Sequence, residues 1–216
     1  MMPNSHIVYG LGHVYVILTE NLDPHYQCPV MVRLGRALKR WNLPLLVVVP
    51  DGPYLSQPSM LDFEALFKTS VVCGRAHVLR HYDQITLVAM DLRRFVKRLR
   101  TEKHSKTLFV THSSRLDIIL GFVSHARVHE SLWGEPFRAG LILAGGEDID
   151  QKERESIVEA IRPIDCPVLF SHTNTYDTLE QLQSYTAKLS AVDPKRTTSA
   201  IAHYSPHLDI ERIVNG

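Results

Sequence analysis

The run "PLLVVVP" (44–50) carries no polar–apolar alternation. A strand with one wet face alternates every second residue, so an unbroken apolar run implies burial on both faces, as in a parallel sheet covered by helices. The rest of the chain follows the same grammar. Strands are expected at 13–18, 69–74, 84–90, 107–111, 140–146 and 167–172. Between them lie helical patterns at 29–42, 60–68 (capped near Ser59), 93–106, 116–125, 150–162 and 175–189. The tail, with Pro194 and Pro206, is expected to end in a short strand or turn around 199–204. Alternating strands and helices predict an α/β fold with mostly parallel sheets flanked by helices.

Composition narrows the partners. A formal charge of +1 from 24 basic and 23 acidic residues supplies no field to attract nucleic acid or an anionic membrane. The basic run "RRFVKRLRTEKHSK" (93–106) places its cations over Leu92, Phe95, Val96 and Leu99, the pattern of a solvated helix face. Cys28, Cys73 and Cys166 form no CxxC pair or zinc spacing and read as reduced, buried thiols. Without an apolar span or a leader pattern, a soluble cytoplasmic protein is expected.

Most catalytic motifs are missing. No GxxxxGK[ST] phosphate loop occurs, and "GLGHVY" (10–15) has Tyr15 where a dinucleotide fingerprint needs its third glycine. His77 and His81 are four apart but lack an accompanying Glu or an obvious third ligand, and His203 and His207 lie in a proline-containing tail, so no metal site is expected. "THSSRLD" (111–117) lacks the glycines of a nucleophile elbow, and His112 should point away from its neighbour Ser113. No catalytic residue and no cofactor are assigned on these grounds.

Two loops fall at the C-terminal ends of expected parallel strands, where ligands of open α/β sheets collect. Ser113, Ser114, Arg115 and Asp117 belong to the first, and Gly145 and Gly146 to the second. One reading makes them a ligand edge: hydroxyls and helix-start amides from the serines, a guanidinium fork from Arg115, and close backbone approach at the glycines. The other makes Ser114 a helix cap, pairs Arg115 with Asp117 and leaves the glycines as a tight turn.

The same residues carry a family resemblance. From about Leu66 to Tyr204 the chain resembles a DRTGG domain, with Ser114-Arg115 at the Asp-Arg element and Ala144-Gly145-Gly146 at the Thr-Gly-Gly element. "LVAMDLRRFV", "RLDIILGF", "GLILAGG" and "CPVLFSHTNTYDTLEQL" follow the family's order. Upstream, "LKRWNLPLLVVVPDGPYLSQPSMLDFEALF" is similar to the end of the dethiobiotin-synthetase-like domain, of the phosphate-loop class, that precedes DRTGG in some phosphate acetyltransferases.

The resemblance implies a partial phosphate-loop-like segment (1–65), a DRTGG domain (66–206) and a short tail (207–216). It implies a shortened relative or a truncated gene product, without the ATP loop and the acetyltransferase catalytic domain. The implied function is a non-catalytic regulatory module that forms homodimers and holds a small anionic or nucleotide ligand at its strand-end loops. The alternative is a degenerate ATP-binding ligase-like or phosphate acetyltransferase-related fragment. Ser114 in place of the acid removes a carboxylate from the ligand edge.

Overall fold

The computed structural model describes residues 5–10, 13–20, 32–33, 35–40, 45–50, 52–101 and 106–207. It has the α/β architecture expected from the apolar runs and divides into two compact units, 1–55 with 189–216, and 56–188. The expected helix at 29–42 lies partly outside the described residues; within them, 32–33 and 35–39 are helical.

In the first unit, β1 (Ser5–Gly10) and β2 (His13–Glu20) pair antiparallel, and β3 (Leu45–Pro50) runs parallel to β2. Among the described residues of "GLGHVY", Gly10 ends one strand and 13–15 begin the next, and none is helical. The unit also holds the first three residues of a short helix, α1 (Pro53–Ser56), and the described part of the tail. The tail is helical, α7 (Pro194–Tyr204), where a strand or turn was expected. Asp193 caps it by accepting from the Arg196 amide at 3.0 Å, and Pro194 stands in its first turn, where the missing N–H costs nothing.

The second unit is a three-layer sandwich around a parallel sheet, in the order β4 (Gln84–Leu87), β5 (Thr107–His112), β6 (Gly140–Ala144), β7 (Val168–Phe170). The connecting helices are α3 (Leu92–Thr101), α4 (Leu116–Trp133) and α5 (Gln151–Ile161). Their apolar sides, including Phe95, Leu99, Ile118, Phe122, Ile157 and Ile161, share one core with Phe109, Leu141, Leu143, Val168 and Phe170. The intervening strand residues Leu108, Val110, Ile142 and Leu169 face the opposite core. There they meet α2 (Met60–Phe67) and α6 (Thr175–Ser184). Successive side chains thus enter different cores, which is why the strands carry no polar face.

Local signals set the element ends. Ser59 and Asp62 form a reciprocal capping box at α2, as do Asp150 and Glu153 at α5, each worth about 1 kcal/mol. Helix α4 runs eight residues past the expected stop at 125, to Trp133, and Gly134 after it, with φ 69°, ends it in the left-handed conformation. The strand expected at 69–74 is reduced to one antiparallel bridge between Cys73 and Val168. A 3-10 turn at Arg75–His77 follows it. Among the described residues no helix is long and apolar enough to cross a membrane.

Candidate functional site

The loops after β5 and β6 lie side by side because the strands are paired in register, His112 opposite Ala144. Ser113 joins them. Its amide donates to the Ala144 carbonyl at 2.8 Å and its hydroxyl to the Gly145 carbonyl at 2.9 Å. The residue is fully buried, so its hydroxyl is a structural tie and is closed to solvent.

Both glycines are tied down as well. The Gly145 amide donates to the Thr173 carbonyl at 2.7 Å, and the Gly146 amide to the Ser171 carbonyl at 2.8 Å. The receiving loop is itself fixed by the hydroxyls of Ser171, Thr173 and Thr178, each within 3.0 Å of the other two. Gly145 has φ 71°, and a Cβ there would stand 2.3 Å from His112 Nε2. Only glycine accommodates both that backbone and that ring.

Ser114 and Arg115 remain on the rim. Ser114 does not cap α4; the N-cap position is Arg115, with no side-chain cap bond. The Ser114 hydroxyl instead lies 2.8 Å from His112 Nδ1, and its amide donates to the same nitrogen at 3.2 Å. With Nδ1 accepting, Nε2 carries the proton and faces Asp148 Oδ2 at 3.2 Å.

Asp148, His112 and Ser114 therefore form a linear relay. Sequence reasoning missed it by considering Ser113, the immediate neighbour. The two-residue period of the strand, which puts His112 and Ser114 on one side, was the available signal. The relay has the connectivity of a nucleophile triad, but activated chemistry also needs donors for a developing oxyanion. The nearby amides at the start of α4, those of Asp117 and Ile118, help to lower the Asp117 carboxyl.

That carboxylate is the centre of the second cluster. Arg115 Nε and Nη2 donate to its two oxygens, each at 2.9 Å, and Nη2 also reaches the Met90 carbonyl at 3.1 Å. The hydrogen bond from Arg115 holds the Asp117 carboxyl below its ordinary range, and the same bond raises the guanidinium. An internal anion thus sits between a guanidinium fork and a helix N-terminus, an arrangement suited to phosphate or carboxylate. Both side chains are partly exposed, so the pair is worth at most about 1 kcal/mol.

The histidines set aside in the sequence have ordinary partners. His77 Nε2 lies 2.6 Å from Asp165, and His81 Nδ1 2.9 Å from the Gln57 carbonyl. Among the described residues no group of three or more His, Cys, Asp or Glu could hold a metal ion.

Comparison with known proteins gives one family. The family described as DRTGG domain matches residues 65–185, more than half of the chain. No curated protein matches. Among solved structures, the chain is similar to the CBS and DRTGG domains of the regulatory region of Clostridium perfringens pyrophosphatase, complexed with the activator diadenosine tetraphosphate. Identity is 11%, the TM-score is 0.40, and the match covers 87% of this chain and 86% of that one.

Proposed function

The chain belongs to the DRTGG domain family, and from that premise we propose that it is a regulatory module that binds a small anionic or nucleotide ligand at the loop between β5 and α4. The observation that carries this reading is the Arg115–Asp117 fork at the helix start. A ligand phosphate can take the place of the Asp117 carboxylate, against the same guanidinium and the same amides. Exchange between the internal and external anion gives the loop two arrangements, which is what a regulatory element requires. The Ser114 hydroxyl, held by His112, supplies a second contact on the same rim.

A panel of ATP and diadenosine tetraphosphate, read by thermal shift on the full chain, tests this. The expected result is a rise in melting temperature that Arg115→Ala removes and Asp117→Asn enlarges. A rise that survives Arg115→Ala contradicts the assignment.

Homodimerisation forms the second part of the proposal. Leu116, Leu120, Val128 and Leu132, 45–54% exposed, follow one i±4 ridge of α4. A ridge of this kind buries well against a second copy of itself across a two-fold axis.

A further inference from the structure

The loop ends so far described occupy the C-terminal edge of the four-stranded sheet. At the opposite edge, where the chain enters β6 and β7, lies a cavity of about 570 Å³. That volume falls within the range of small-molecule sites. Its cationic lining comes from His77, Arg80, Arg127 and Arg138.

Arg80 is the unusual member. The turn after Arg75–His77 delivers it, its amide donating to the His77 carbonyl at 2.9 Å. Its side chain is half-buried; it reaches the Phe137 carbonyl by a long hydrogen bond, 3.5 Å from Nη1, and lies beside the Cys166 thiol. Burial lowers its pKa most strongly; Cys166, Tyr82 and Asp165 act in the opposite direction, and Arg138 adds a smaller repulsion. Among the described residues, neither Arg80, Arg127 nor Arg138 forms an ion pair within 4.0 Å. The cavity also contains Glu130 and Asp165, but Asp165 is taken by His77 at 2.6 Å.

A partly desolvated guanidinium without a carboxylate is costly to keep, and an external anion offsets that cost. Three guanidinium forks facing two carboxylates favour a dianion with several acceptor oxygens over a single carboxylate. Phe137 and Ile164, in the same lining, offer an apolar wall beside the charges. We infer that this cavity is a second anion site, for a small phosphomonoester with an apolar or aromatic body, with Arg80 as its inner contact and Arg127 and Arg138 at its rim. It is independent of the Arg115 rim, since the two sites lie at opposite ends of the strands.

The test is a calorimetric titration of the full chain with AMP and, separately, inorganic phosphate. AMP should bind, with inorganic phosphate weaker because it lacks the body. Arg80→Met and Arg138→Glu should each weaken AMP roughly tenfold or more, the loss expected for one charge-assisted hydrogen bond. Arg115→Ala should leave that affinity unchanged. Because Arg138 is exposed, Arg138→Glu keeps the test valid even if Arg80→Met fails to fold. No binding of AMP, equal binding of AMP and phosphate, an unaltered affinity in Arg138→Glu, or a loss confined to Arg115→Ala would each overturn the inference.

Discussion

Gly145→Ala probes the geometry that joins the two strand-end loops. The residue has φ 71°, a conformation that costs an L-amino acid about 1–2 kcal/mol. The added Cβ would also lie 2.3 Å from His112 Nε2 and 2.8 Å from Asp148 Oδ2. Asp148 is exposed and can swing away, whereas the His112 ring is held by Ser114, so the ring must move and the relay must open. Losing those partly exposed hydrogen bonds adds about 1 kcal/mol. The total, about 2–3 kcal/mol, should lower the melting temperature by roughly 5–10 °C for a chain of this size.

Urea denaturation of four proteins (wild type, Gly145→Ala, His112→Ala and the double variant) separates the two terms. In the His112→Ala background the clash is gone, and Gly145→Ala should cost only the backbone part, about 1–2 kcal/mol. Gly146→Ala is the control: its Cβ would meet the Ser171 carbonyl at 3.0 Å without a left-handed backbone, so it should cost less than Gly145→Ala. A Gly145→Ala cost under about 0.5 kcal/mol, or one unchanged by removing His112, would refute the reasoning.

Two further outcomes follow from burial and exposure. Desolvation pushes the Cys166 thiol up to about 12. A raised folded pKa contributes stability that is complete below the unfolded thiol value, near ~8.5, and is lost as pH climbs through the folded value. Denaturation midpoints should therefore fall above about pH 8.5, less so in Cys166→Ala, and thiol-specific reagents at pH 8 should label native Cys166 slowly; rapid labelling would contradict the burial. Leu120→Glu, on the exposed ridge of α4, should convert a dimer to a monomer in size-exclusion chromatography with light scattering while leaving the melting profile of the monomer intact. A wild-type monomer at micromolar concentration would remove the dimer from the account.

The sheet was legible in the sequence because each strand of the second unit feeds two cores, as at Leu108, Phe109 and Val110. Capping residues made α2 and α5 equally plain. The tail, expected to end in a short strand or turn, is instead a helix, because Asp193 is its cap and Pro194 fits its first turn. "TSVVCG" has strand composition, but tertiary context allows it one bridge, and it closes a loop beside β7. At the site, Arg115 and Asp117 were legible as a local pair two residues apart. The partners of Gly145 and Gly146 were not, since Ser171 and Thr173 lie a full β–α–β unit downstream. The cavity of Arg80 was invisible for the same reason: its lining comes from four separate segments.

The proposed exchange of the Asp117 carboxylate for a ligand at Arg115 is measured most directly by an equilibrium titration of ATP into wild type, Asp117→Asn and Arg115→Ala. The exposed Arg115–Asp117 pair competes with the ligand by about 0.2–1 kcal/mol, so Asp117→Asn should bind ATP up to about fivefold more tightly. Arg115→Ala should bind it at least tenfold more weakly. Equal affinity in all three proteins, or weaker binding in Asp117→Asn, would contradict the account.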